Sequence, residues 1–174
     1  MKKWKIAKIK IENFKPFKEA YFDLKSSALI TLDGPNGFGK TSIFDAVELL
    51  FTGKIQRVIA RNNSIIAKGK KKTHFEENLY WNKQKQGNLV IRTELISEDG
   101  NDTLYLARVA LTSDLSYEKN NAPDNFSIFK LYQLENFDSD NFNNLVSDSL
   151  IEDFLGRNFL KNFSLLNYLE QGEN

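Results

Sequence analysis

The chain has 174 residues, 24 Lys and Arg against 23 Asp and Glu for a net charge of +1, 41% hydrophobic residues and no Cys. That length allows one domain with a buried core, and the absence of Cys excludes disulfides and thiolate-bound zinc. No window reaches the apolar length of a membrane span, and the basic opening Met1-Lys2-Lys3-Trp4-Lys5 lacks the apolar stretch of a signal peptide, so a cytoplasmic protein, nucleoid-associated if it meets DNA, with no membrane partner is expected.

In residues 5–14, Ile9 and Ile11 alternate with Lys8, Lys10 and Glu12, the period of a strand with one wet face. Lys15-Pro16-Phe17 ends it, because Pro cannot donate to a ladder. Ala20-Tyr21-Phe22-Asp23-Leu24 reads as a second short strand, and Ala28-Leu29-Ile30-Thr31-Leu32 as a buried third one. Next comes Gly34-Pro35-Asn36-Gly37-Phe38-Gly39-Lys40-Thr41, an unbroken match to G-x-x-x-x-G-K-[ST], and then a run from Ser42 to Phe51 with apolar residues at helical spacing, stopped by Thr52-Gly53. Strand, glycine loop and helix follow in the order that phosphate binding requires. Glycines let successive backbone N–H groups converge on phosphate oxygens, and the helix start adds unsatisfied donors and a positive dipole end. Lys40 is placed to reach the β- and γ-phosphates of ATP, and the Thr41 hydroxyl to ligate Mg2+.

Residues 54–87 are polar and weakly periodic, which predicts a long loop with one short element around residues 58–66. Lys54, Arg57, Arg61, Lys68, Lys70, Lys71 and Lys72 fall in residues 53–75 with no acid among them. Lys68, Lys70, Lys71 and Lys72 are therefore candidate DNA contacts, since lysines at phosphates gain free energy through counterion release without reading bases. His74, the only histidine, has no ligand partners and reads as a loop residue; Trp4, Tyr80 and Trp81 read as packing rather than base-stacking groups. Three β-type runs follow at 88–96, 103–111 and 126–132, the first two joined through Asp99-Gly100 as a hairpin. The polar connection 112–125, containing Pro123, reads as a surface loop. From 141 to 155 apolar residues recur every three or four positions, predicting a helix capped by Ser139 or Asp140 and ended by Gly156. Residues 134–174 carry eight acids against Arg157 and Lys161, so that end would repel polyanions.

The opening Ile9-Lys10-Ile11-Glu12-Asn13-Phe14-Lys15-Pro16-Phe17, the loop Leu32-Asp33-Gly34-Pro35-Asn36-Gly37-Phe38-Gly39-Lys40-Thr41-Ser42, Asp45-Ala46 in the helix after it, and the end Tyr168-Leu169-Glu170-Gln171-Gly172-Glu173 together resemble the SMC/Rad50/RecF ATPases. The resemblance covers residues 5–52 and 160–174, the middle matching only in the order of elements. It implies an α/β P-loop NTPase of the ABC-ATPase head type, with a mixed core sheet and an antiparallel β-meander subdomain. The chain would form a single amino-terminal half-head: 1–53 strands, loop and first helix; 54–87 a basic loop; 88–133 the antiparallel subdomain; 139–174 a helical segment leading through a strand at 165–169 to a Q-loop.

By the same resemblance, Lys15, Asn36, Gly37, Phe38, Gly39, Lys40, Thr41 and Ser42 would surround ATP, Gln171 would join Thr41 at Mg2+ and orient the attacking water, and Lys40 and Gln171 would be the catalytic pair. Lys15 stands where Arg is commoner in the family, and Phe38 is bulkier than the usual small residue. The signature motif and the Walker B acids are expected in a carboxy-terminal half. Within this chain, Leu95-Ile96-Ser97-Glu98-Asp99 runs into Gly100 and reads as a hairpin turn instead of Walker B. The partners implied are that carboxy-terminal half, a second head in a homodimer, DNA, and a nuclease or accessory subunit. Other readings of the loop are a transporter-type nucleotide-binding subunit, a P-loop kinase and a scaffold with ATP as a structural ligand. The opening at 11–14 and the interval of about 130 residues from loop to Gln171 disfavour the transporter.

Overall fold

The computed structural model describes residues 3–25, 31–35, 37–68, 77–84 and 87–156. Its centre is a five-stranded sheet made of β1 (Trp4–Phe14), β2 (Phe17–Asp23), β3 (Leu89–Ser97), β4 (Thr103–Ala110) and β5 (Lys130–Leu134), in the order β2-β1-β3-β4-β5. Every described pairing is antiparallel. The expected core sheet and separate meander are therefore one continuous sheet among the described residues, because β1 pairs along its length with β3, Trp4 opposite Ser97 and Glu12 opposite Val90.

α1 (Lys40–Thr52) lies on one face of this sheet. Its Ala46, Leu49 and Leu50 fall at helical spacing and meet Ile9, Ile11, Ile91 and Leu106, all buried, so the strand alternation and the helical stripe bury each other. Gly53, at φ 70°, ends α1 as expected, its N–H donating to Leu49 O at 2.9 Å. The opposite sheet face carries Lys8, Lys10, Glu12, Arg92 and Glu94 beside a small apolar group of Val90, Ala107, Val109 and Leu134. Arg92 is 2% exposed; it pairs with Glu12 at 2.8 Å and donates to Phe137 O, Ser139 O and Asp140 Oδ1 at 3.2, 3.1 and 2.8 Å, pinning residues 137–140 to that face.

Several expectations are corrected. The short element near 58–66 is a full helix, α2 (Gln56–Ala67). Glu48 Oε1 accepts the Gln56 N–H at 3.1 Å, so α1 supplies the N-terminal acceptor that α2's own sequence lacks. Thr31 and Leu32 are not in a strand, and 28–30 lie outside the described residues. The strand expected at 126–132 starts only at Lys130. The surface loop 112–125 contains the short helix α3 (Thr112–Ser116) and a 3₁₀ turn at Glu118–Asn120.

The helix expected over 141–155 is α4 (Ser149–Leu155) alone, with Asp148 at its N-cap and Gly156 closing it through a bond to Glu152 O at 2.8 Å. Residues 144–146 instead run along the edge of β5, with Gln133 N donating to Asn144 O and Val146 N to Leu131 O, both at 3.0 Å. The apolar residues serve two faces: Phe142 packs with Tyr132 on one, Val146 and Leu150 join the α1 side on the other. The strand at 165–169 and the Q-loop lie outside the described residues.

Candidate functional site

The glycine loop between residues 33 and 40 is built from backbone that other residues adopt at a cost: Gly34, Gly37 and Gly39 have φ of 141°, 90° and 90°. Asp33 Oδ1 accepts the Gly34 N–H at 2.7 Å and fixes the entry to the loop. Gly39 is the N-cap of α1, and its carbonyl accepts the first turn's Ile43 N–H at 3.0 Å. A Cβ at Gly39 would stand 2.7 Å from Phe17 Cζ and 3.2 Å from Pro16 Cγ, so the β1–β2 turn packs directly beneath the loop.

Among the described residues no side chain caps the N-terminus of α1, and no acid sits in its first turn, so the partial positive charge of the helix start has no carboxylate of that turn beside it. Lys40 Nζ lies across the loop on the carbonyls of Gly34 and Pro35, the latter at 3.1 Å. Thr41 is exposed, Ser42 half-buried and Phe38 76% exposed. Glycine geometry, a cation over the loop and an acid-free helix start fit a polyphosphate, and the exposed Thr41 hydroxyl beside them fits a magnesium ion held mainly by phosphate oxygens and water. No cluster of three or more His, Asp or Glu stands among the described residues as a protein-built metal cage.

Beneath the loop lies a charge cluster that sequence reasoning passed over. Asp45 is fully buried on α1 and accepts from Lys15 Nζ and from Arg57, whose Nε is at 2.6 Å and whose Nη2 closes the second arm. Lys15 adopts φ 50°; its N–H donates to Tyr80 O at 2.8 Å and its carbonyl accepts from Asn82 Nδ2 at 2.6 Å. Its ammonium stands 5.4 Å from the ring centres of both Phe14 and Tyr80. Burial holds the Lys15 ammonium below its ordinary pKa, against the pull of Asp45, with Arg57 adding to the lowering. Glu48, one turn beyond Asp45, is raised by burial first, helped by Asp45 and opposed by the Gln56 N–H, Arg57 and Lys54. Tyr80 is fully buried, stacked near Phe14 at 6.2 Å, with its hydroxyl donating to Pro123 O, and burial raises its pKa. That confirms packing over base stacking for this residue.

The structure brings Gly37, Phe38, Gly39, Lys40, Thr41 and Ser42 together at one helix start, and joins the Lys15 turn to them through Pro16 and Phe17. Lys15 itself is directed to Asp45. Lys68 is exposed at the C-terminal end of α2; Asn36, Lys70, Lys71, Lys72 and Gln171 lie outside the described residues. One signal for the cluster was present in the sequence: Asp45 interrupts the apolar stripe of α1, and a carboxylate at a core position requires a cation. No described helix is long and apolar enough to cross a membrane. A family model described as an AAA domain matches residues 8–174. No curated protein matches the chain.

Proposed function

This chain belongs to the AAA-domain family of P-loop ATPases, and on that premise we propose that it is the ATP-binding amino-terminal half of an SMC/Rad50-like ATPase head that acts on DNA. The observation that carries ATP binding is the loop of residues 34–39, whose positive-φ glycines open onto an uncapped, acid-free helix start with Lys40 laid across it. In this reading Lys40 exchanges its carbonyl partners for β- and γ-phosphate oxygens, and the α1 donors take up the remaining negative charge. Thr41 and Gln171 would hold Mg2+, which when bound neutralises charge on the phosphates and polarises them for attack. The SMC/Rad50 assignment rests on the residues quoted for the resemblance, above all the openings at 9–17 and 32–42.

The base that activates water belongs to the carboxy-terminal half, and a second head closes over the nucleotide. ATP favours the closed pair because it binds that state better than the open one, and hydrolysis releases it. DNA repair, chromosome maintenance and defence against foreign DNA all use such a cycle, and a cytoplasmic or nucleoid location follows from it. The test is calorimetric titration of the chain with MgATP, followed by turnover assays with and without the carboxy-terminal half. Saturable binding that weakens about tenfold to a hundredfold in Lys40→Ala is expected. Turnover is expected only when the two halves are combined. Robust hydrolysis by the chain alone, lost in Lys40→Ala, contradicts the divided-head reading while sparing the P-loop.

A further inference from the structure

The β1–β2 hairpin turns on two residues, Lys15 and Pro16, between the paired Phe14 and Phe17. Pro16 is locked at negative φ, so a type I′ turn, positive at both central positions, is excluded. The positive φ falls on Lys15, at 50°, the first position of the turn, where Gly is usual. Asn13, two residues earlier, is also left-handed at φ 59°, and among the described residues these two are the only non-glycine positions with positive φ. Two such residues persist in one turn where surrounding contacts over-determine it, and turns of this kind gather at ligand sites.

The contacts come from residues 80–87, far along the chain. Phe14 bridges to Trp81, the Lys15 N–H donates to Tyr80 O at 2.8 Å, and Asn13 Nδ2 donates to Gly87 O at 2.7 Å. Asn82, 6% exposed, grips both left-handed residues: its backbone N–H donates to Asn13 O at 3.1 Å and its Nδ2 to Lys15 O at 2.6 Å. The amide is oriented by its Oδ1, which accepts the Gln84 N–H at 3.0 Å. What the turn delivers lies on its other side. Phe17 Cζ and Pro16 Cγ stand so near Gly39 that a Cβ there would be 2.7 and 3.2 Å from them. Gly39, whose carbonyl accepts the Ile43 N–H and so begins α1, therefore rests on the tip of the Phe17 ring.

We propose that Asn82 and Phe17 are positioning residues for the phosphate loop: Asn82 holds the strained turn, and the turn presents Phe17 as a floor that sets the place of Gly39 and of the N–H donors that follow it. The effect on nucleotide rests on the reading of residues 34–39 as a phosphate site; the effect on the loop itself does not. The experiment compares the wild-type chain with Phe17→Leu, which removes the ring tip, and with Asn82→Asp, which removes the donor to Lys15 O and keeps the acceptor for Gln84. Amide hydrogen exchange of the free chain is followed at Ile43 and in β3 and β4, and MgATP and inorganic tripolyphosphate are each titrated calorimetrically. Exchange at Ile43 is expected to quicken about tenfold in both variants with the strands unchanged, and both probes to bind about tenfold more weakly at unchanged stoichiometry. A mere loss of stability would quicken the strands as well, and would reduce the number of binding sites rather than the affinity of each. Where the wild type binds neither probe, the phosphate-site reading fails and exchange at Ile43 decides on the turn. Unchanged exchange at Ile43, acceleration shared equally by the strands, or full affinity in either folded variant of a wild type that binds, overturns the proposal. Phe17→Leu is a mild truncation, so the comparison holds even where Asn82→Asp does not fold.

Discussion

Asp45 holds two cations on one fully buried carboxylate, and it joins the β1–β2 turn, α1 and α2 at a single point. Removing its charge leaves a buried ammonium and a guanidinium without their shared counter-charge. Asp45→Asn is expected to lower stability by about 3 to 5 kcal/mol, measured by urea denaturation. Restoring most of that loss by adding Lys15→Met identifies desolvated charge as the cause, since the pair of substitutions replaces ions with packing. A loss below 1 kcal/mol in the single variant would show that water reaches the cluster.

Glu48 gives the same region a pH dependence. Its folded pKa lies above the unfolded value, so the proton it holds in the fold stabilises, and that contribution is present at low pH and lost as pH rises through the folded pKa. Lys15 has the opposite arrangement. Its folded pKa lies below 10.5, so between the two values the unfolded chain binds a proton that the fold does not, and stability rises with pH there. The difference in unfolding free energy between wild type and Glu48→Gln, followed by denaturation across acid to neutral pH, is expected to move against the wild type as pH rises. A difference independent of pH would place Glu48 at an ordinary carboxylate pKa.

At the scale of elements, Arg108 is the counterpart of the loop at the other end of α1. It is buried on β4; its Nε and Nη2 donate to Leu50 O at 3.3 and 3.0 Å, and its Nη1 donates to Asp148 Oδ1 at 2.8 Å. The guanidinium thus meets the negative end of the α1 dipole and fastens the start of α4 to it. Gly53 permits the approach, because a Cβ there would lie 3.0 Å from Asp148 Oδ2. Arg108→Lys keeps the charge and loses the fork. The expected cost is about 2 kcal/mol of global stability, with faster hydrogen exchange in α4 than in the strands. Equal exchange changes in both would mean that Arg108 supports the sheet rather than the helix junction.

The elements readable from sequence are those whose periodicity serves one face. Ile9 and Ile11 alternate because β1 has one dry side, and α1 carries a single apolar stripe. Residues 141–148 mislead because Phe142 and Val146 reach opposite faces of the sheet, so spacing of three and four residues arises without a helix. The glycine loop was legible because its conformation demands particular residue types locally. Of the Asp45 cluster only the carboxylate in the apolar stripe is legible; its partners are not, since they lie 30 residues before and 12 after, a separation set only by the pairing of strands and helices. Nor was the extent of α2: Val58, Ile59, Ile65 and Ile66 recur at helical spacing, but its start has no capping side chain of its own and depends on Glu48 from another helix.

For the whole molecule, charge decides where a polyanion can approach. α2 and its flanks carry Lys54, Arg57, Arg61 and Lys68 with no acid between residues 53 and 75, and the sequence 68–72 adds three further lysines. If this stretch meets DNA, reversing Lys68, Lys70, Lys71 and Lys72 to Glu is expected to weaken DNA binding and to reduce the slope of log affinity against log salt by about 3.6, the value for four phosphate contacts on a duplex. An unchanged slope would remove this stretch from the DNA interface.

The pairing of Trp4 with Ser97 has one more consequence. The glycine loop, α1 and α2 all lie between two strands that are neighbours in space, so the nucleotide site is a long excursion stitched shut by the β1–β3 seam. During synthesis the loop and α1 emerge well before β3 exists to cover Ile9, Ile11 and the Leu49–Leu50 stripe. Closing that excursion costs chain entropy before any strand contact repays it, so the rate at which the site matures is governed by topology rather than by the helix that carries Lys40. A nascent chain arrested ahead of Leu89 would present the apolar side of its nucleotide-binding helix to chaperones and to other nascent chains.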